Sequence, residues 1–247
     1  MDKMSKILVL VEGGKTDLRL MRHLLHMYGI NNKHEVVSYN TNIYVLYQDM
    51  FADGDPSSID ILQLLKERER DPAKKVIFDI HYSDILLVFD LDPQDPQFSA
   101  DKVLEMMQFF VESSDMGKLY LNYPMVEAFY HMKSIPDKDY NNYTVSLCEL
   151  AKGTYKKRVN KENRNHNYSK FAVTREECNT VIQQNIDKAW CMSEMERLKH
   201  MTKHALLESV EILRKQFLKI EAEKTISVLC TCAFYIVDYN PKLITIA

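Results

Sequence analysis

After Asp84 the chain reads Ile-Leu-Leu-Val-Phe with no polar residue, then stops at Asp90-Leu91-Asp92-Pro93. A half-buried strand alternates apolar and polar positions. A run without alternation belongs to a strand covered on both faces, as in a parallel sheet lying between helices. Lys6–Val11 repeats the pattern and ends at Glu12-Gly13-Gly14. Parallel strands need long crossovers, so two such strands commit the chain to an α/β fold with a mostly parallel sheet flanked by helices.

The segments between and after these runs agree. Leu18, Leu20, Met21, Leu24, Leu25 and Tyr28 give one helical face, with Thr16 or Asp17 as the cap and Gly29 as the stop. Residues 34–39 and 118–122 read as further strands. Residues 43–51, 57–69 (capped by Ser57 or Ser58), 99–112 and 124–132 read as helices, the last with Pro124 in its first turn. Past residue 140 the strand signals fade. Helical spacing dominates over 174–190 and 205–222, while 226–237 fits helix or strand equally. The expected organisation is a catalytic-type α/β domain over 1–140 and a helical C-terminal region over 141–247.

Composition removes several function classes. A formal net charge of −3 over 247 residues excludes a basic nucleic-acid coat, so any polyanion site must be a local patch. Five cysteines with no Cys-x-x-Cys pair predict buried free thiols in a reducing cytoplasm rather than structural zinc. No signal pattern and no apolar run near the ~20 residues of a membrane span is present, so no membrane partner is expected. The tail Gly14-Lys15-Thr16 imitates a phosphate-binding loop, but that motif needs glycine five residues before Gly14, and Val9 stands there.

Ligands of open α/β sheets bind beyond the carboxyl ends of the strands. Three strands end there in acidic or amide residues: Glu12, Asp90 with Asp92, and Asn122 with Glu127 one turn later. Alternation along an extended chain would point Asp90 and Asp92 to one side. Paired carboxylates are costly without a cation, and an open, oxygen-only site suits Mg²⁺ (or Mn²⁺). Glu12 could ligate the ion or carry a proton. Residues 152–170 hold seven Lys/Arg against one Glu, interleaved with Tyr155 and Tyr168. Lys156, Lys157, Arg158, Lys161 and Arg164, with Lys15 beside Glu12, are the candidate phosphate contacts, and the tyrosines suit stacking on unpaired bases. His23 with His26, and His200 with His204, have helical spacing but lack further ligands, so they read as surface or structural groups.

A strand ending in Val11-Glu12-Gly13, a helix, and a later apolar strand ending in Asp90-Leu91-Asp92 resemble the Toprim domain of topoisomerases, primases and nucleases, over about residues 5–135. Asn122-Tyr123-Pro124-Met125-Val126-Glu127-Ala128-Phe129 is similar to an N-x-P-x-x-E-x-aromatic signature of bacterial Toprim nucleases. The resemblance implies a metal-dependent endonuclease, a hydrolase acting on phosphodiester bonds in DNA or RNA. Glu12 would be catalytic, Asp90 and Asp92 would hold Mg²⁺, and Glu127 would support them. It also implies an antiviral setting, that of abortive-infection effectors of the OLD or PARIS type, with an ABC-type or OLD-like ATPase as regulatory partner and a homodimer as a compatible assembly. The chain lacks the gate domains of topoisomerases and the zinc region of primases. Two other readings stay open: a phosphoryl or nucleotidyl transferase on a small substrate, and a non-catalytic partner-binding Toprim module.

Overall fold

The computed structural model describes residues 6–52, 54–193 and 209–244. His200, His204 and the first four residues of the helix expected over 205–222 lie outside them. The N-terminal half runs β1 (Lys6–Val11), α1 (Thr16–Met27), β2 (His34–Ser38), α2 (Ile43–Phe51), α3 (Ile61–Arg68), α4 (Pro72–Lys75), β3 (Tyr82–Asp90), α5 (Ala100–Phe109), β4 (Val111–Glu112) and β5 (Gly117–Asn122). The C-terminal half runs β6 (Thr144–Ser146), α6 (Leu147–Ala151), α7 (Tyr155–Glu162), α8 (Arg175–Met192), α9 (Ser209–Glu223), β7 (Thr225–Ser227) and α10 (Tyr235–Tyr239).

The fold is α/β: a five-stranded sheet in the order β2-β1-β3-β5-β4, parallel except for β4, with flanking helices and further helices at the C-terminal end. The two strands with unbroken apolar runs lie at its centre, where helices on both faces leave no position for a polar side chain. Leu8, Val9, Leu10 and Val11 of β1 and Leu87 and Phe89 of β3 are fully buried. Each such side chain contributes roughly 1.5–3 kcal/mol by leaving water. Helix α1 covers one face with Leu20, Met21, Leu24 and Leu25, and Gly29 ends it with a positive φ of 68°.

The strand order places a topological switch between β1 and β3. From β1 the chain moves outward to β2, then crosses back to β3 on the other side. Crossovers therefore leave in opposite directions from these two strands, the arrangement that in open α/β sheets marks the ligand side at the strands' carboxyl ends. Glu12 and Asp90 stand at those two ends.

Several boundaries differ from those expected. Residues 57–69 do not form one helix. Asp55 accepts a hydrogen bond from the Ser57 N–H and closes a 3-10 turn over Pro56–Ser58, and Asp60, not a serine, caps α3. The helix expected to Glu112 stops at Phe109, because Val111 and Glu112 pair with Lys118 and Gly117. Residues 124–132 form only a 3-10 turn, Val126–Tyr130, after a cis Tyr123-Pro124 bond. The chain cannot coil earlier, since the Tyr123 backbone is held extended by two 2.8 Å bonds with Leu229.

That pairing ties the C-terminal segment to the sheet. The Thr231 hydroxyl donates to the Leu121 carbonyl, and Tyr235 packs edge-on against Tyr120 of β5 and His34 of β2. Residues 226–237, ambiguous in sequence, contain a short strand, an extended stretch and a helical turn. Among the described residues, no helix is long and apolar enough to cross a membrane.

Candidate functional site

Glu12 leaves β1 with its N–H still bonded to the Val88 carbonyl, and its carboxylate accepts the Asp90 N–H at 3.0 Å. The side chain therefore lies across the end of β3. Asp90, 6% exposed, accepts an amide N–H of Asn122 at 3.3 Å. Fully buried Asn122 in turn accepts the Cys232 N–H, so one amide joins the site to the C-terminal segment.

Asp92 does not continue the strand, as the alternation argument required. The chain turns after Asp90, and Asp92 takes a left-handed conformation (φ 39°) with its N–H on the Pro124 carbonyl. Non-glycine residues adopt such a backbone only where the surroundings enforce it. Its carboxylate still joins the cluster, because the turn folds back over the strand end and brings it near Gln94, Glu127 and Lys156. Glu127, in the 3-10 turn after Asn122, is 3% exposed.

A fifth carboxylate was missed in the sequence. Asp17 was expected as a helix cap, yet α1 begins at Thr16 without a side-chain cap, and Asp17 turns inward at 7% exposure. Gly13 makes the room: a Cβ there would lie 2.5 Å from Asp17 Oδ2. The legible signal was the spacing Glu12-Gly13-Gly14-Lys15-Thr16-Asp17, a glycine four residues before an acid in the first helical turn.

The five carboxylates perturb one another. Burial pushes Glu12 up to about 8, and the charges of Asp92 and Asp17 add to it against the Asp90 amide. Burial raises Asp17 to about 6, with Glu127 adding to the shift. Asp90 is raised well above the usual carboxylate range by burial and then by Glu12, Asp17, Asp92 and Glu127. Asp92 is raised as well, chiefly by burial. Buried oxygens of Asp17, Asp92, Gln94 and Glu127 have no hydrogen-bond partner. An orphaned buried carboxylate oxygen is costly unless a cation meets it.

Lys156 reaches in from the C-terminal half. Lys156 Nζ lies 3.3 Å from Glu127 Oε1, while its side chain remains 61% exposed. Burial of the ammonium opposes its charge, but Glu127, Asp90 and Asp92 outweigh that and raise its pKa. Among the described residues, no three His, Cys, Asp or Glu side chains form a ready-made metal ligand set. The donors present are carboxylate oxygens, the chemistry of an ion that keeps several waters and takes one or two carboxylates.

The basic stretch divides. Lys156 joins the cluster, and Lys15, Lys157 and Lys161 are exposed, with no ion pair among the described residues. Arg158 is instead tied to Glu149 at 2.8 Å, Glu162 at 3.4 Å and the Thr144 carbonyl at 3.2 Å. Arg164 is held by Glu177 at 2.7 Å. Both arginines lie half-buried between elements and pin them together, because a planar guanidinium is well suited to bridging carboxylates. Tyr155 is 1% exposed and cannot stack on a base. Tyr168 stays half-buried and stacks on Tyr130, with centroids 4.3 Å apart.

Against family models, curated proteins and solved structures, the chain finds no match.

The cysteine and histidine expectations fare unevenly. None of the five cysteines forms a disulfide, but only Cys178, Cys230 and Cys232 are buried, while Cys148 and Cys191 are exposed. The His23 Nε2–H donates to the Ala172 carbonyl, 2.8 Å away, a structural bond.

Proposed function

We propose that the protein is a Mg²⁺-dependent Toprim-type nuclease that hydrolyses phosphodiester bonds in DNA or RNA as an effector of bacterial antiviral defence. The observation that carries the reading is the convergence of Glu12, Asp17, Asp90, Asp92 and Glu127 at the sheet's switch point, with partnerless buried oxygens on three of them. The order of the Val-Glu-Gly, Asp-x-Asp and Asn-x-Pro-x-x-Glu motifs supports the Toprim assignment. The defence setting and an ABC-type or OLD-like ATPase partner follow from that resemblance, and they belong to the proposal together with a homodimer and, from the cysteine usage, a cytoplasmic location.

Asp90 and Asp92 would hold the cation, with Asp17 or Glu127 within the same charge cluster. A bound Mg²⁺ would polarise the scissile phosphate and lower the pKa of its water. Glu12, pinned by the Asp90 amide, would hold or move the proton at the attacking water or the leaving oxygen. Lys156 would exchange Glu127 for a substrate phosphate, and exposed Lys15, Lys157 and Lys161 would guide the strand.

A second reading, a phosphoryl or nucleotidyl transferase on a small substrate, is favoured by the inward pairing of Arg158 and Arg164, which shortens the polyanion track. The deciding experiment incubates purified protein and its Glu12→Ala and Asp90→Ala variants with Mg²⁺ or Mn²⁺ and mixed DNA and RNA, and sequences the new ends. Metal-dependent ends made by the wild type and lost in both variants support the nuclease. Ends that persist in the variants, or their absence with and without the proposed ATPase, contradict it.

A further inference from the structure

Resting on the nuclease reading, the geometry points to a subsite for one unpaired nucleotide beside the acidic cluster, in which the Tyr168 ring stacks on the base and the Arg19 guanidinium meets its phosphate. Tyr168 belongs to the loop after α7, and two contacts hold its ring. One face stacks on Tyr130, with an interplanar angle of 10°. Its hydroxyl donates to the backbone carbonyl of Lys156, the residue whose ammonium enters the cluster. Tyr130 itself is 4% exposed and braced edge-on by Phe129 and Phe171, so the stack rests on a rigid base.

Tyr168 is only half-buried, so the residue keeps part of its surface accessible to solvent. An aromatic face held in place before binding loses little entropy when a base stacks on it, and every base offers a π-face. A paired base has both faces already stacked within its duplex, so this subsite selects unpaired nucleotides.

Arg19 supplies the second half. It lies one turn into α1, two residues beyond Asp17, and α1 packs against the 3-10 turn that carries Glu127 and Tyr130. Its side chain is exposed, and among the described residues it forms no ion pair, unlike Arg158 and Arg164. Its charge is near enough to both phenols to oppose the upward push that burial gives Tyr130 and Tyr168. Glu127 is felt at the same two phenols, so stack, guanidinium and carboxylates occupy one neighbourhood. A nucleotide on Tyr168 would thus present its neighbouring phosphodiester to the cluster.

The test uses the full chain bearing Glu12→Gln, which cannot turn over, with a single-stranded oligonucleotide carrying 2-aminopurine in Mg²⁺ buffer. Binding is followed by quenching of 2-aminopurine, and an unlabelled duplex is the competitor. Tyr168→Leu keeps an apolar cover over Tyr130 without a π-face, and an unchanged thermal midpoint verifies its fold. Tyr168→Leu is expected to abolish quenching and weaken binding about tenfold, whereas Tyr168→Phe and Tyr168→Trp keep both. Arg19→Ala is expected to lower the salt dependence of binding by about one phosphate contact. Full quenching with Tyr168→Leu, or equal competition by duplex, overturns the subsite while leaving the nuclease reading intact. Failure of any polynucleotide to bind the Glu12→Gln chain overturns both.

Discussion

Removing the charge of Glu12 should make the metal-free protein more stable at alkaline pH. Glu12 rises from 4.5 to about 8, mainly through burial. A raised carboxyl means that the folded chain keeps a proton which the unfolded chain has released. The associated stability is complete below about pH 4.5 and is lost as pH climbs toward 8. At ~1.4 kcal/mol per unit, the window between these values sets a ceiling of about 5 kcal/mol. Solvent screening and the sharing of charge with the neighbouring carboxyls reduce that ceiling, so about 2–3 kcal/mol is the expected loss. For a chain of this size that corresponds to roughly 5–10 °C in melting temperature. Glu12→Gln keeps an oxygen for the Asp90 N–H but cannot ionise. In EDTA it should melt near the wild type in mild acid and well above it past pH 8, and Mg²⁺ should close the gap by stabilising the wild type. Lys188, whose burial lowers it to about 7, adds stability as pH rises above that value, but equally in both proteins, so their difference isolates Glu12. A difference that does not grow with pH would refute the reasoning.

Further outcomes follow from single contacts. Asn122→Ala should destabilise the protein by ~2–3 kcal/mol in urea unfolding, since it strands both Asp90 and the buried Cys232 N–H. Gly13→Ala should weaken divalent-cation binding and cost ~1–3 kcal/mol, because the new methyl meets the Asp17 carboxylate; calorimetry and thermal melts read the two effects. Arg158→Ala should lower stability by about 1–2 kcal/mol and leave cation affinity unchanged, which sets its bridging of Glu149 and Glu162 apart from the role of Lys156.

The sequence carried the central strands and the acids at their ends because both signals are local. An apolar run as short as 85–89, bounded by acids, reads as a strand buried on two faces, and a carboxylate just past such a strand falls at the sheet edge. Helix α2 has the bounds read from its pattern, and Thr174 caps α8 where that helix was expected to begin. What escaped depends on distant partners. The Tyr123–Leu229 pairing decides that residues 124–132 cannot form a helix, and nothing near Pro124 announces it. Asp17 looked like a cap because aspartate is common at helix starts; only the space over Gly13 shows that it turns inward. Arg158, Arg164 and Tyr155 looked like a polyanion track, and apart from Glu162, one turn along the same helix, their acidic or apolar neighbours lie on other elements. Lys156 was right for its charge, but its partner Glu127 could be found only in three dimensions.

The most direct test of the account is a calorimetric titration of Mn²⁺ into metal-free wild-type protein and its Asp90→Asn variant near neutral pH, with proton release followed in two buffers. The account predicts binding by the wild type with release of protons held by the raised carboxyls, and loss of both in Asp90→Asn. Equal binding by the two proteins, or none by the wild type, would contradict the claim that these five carboxylates are gathered to hold a cation.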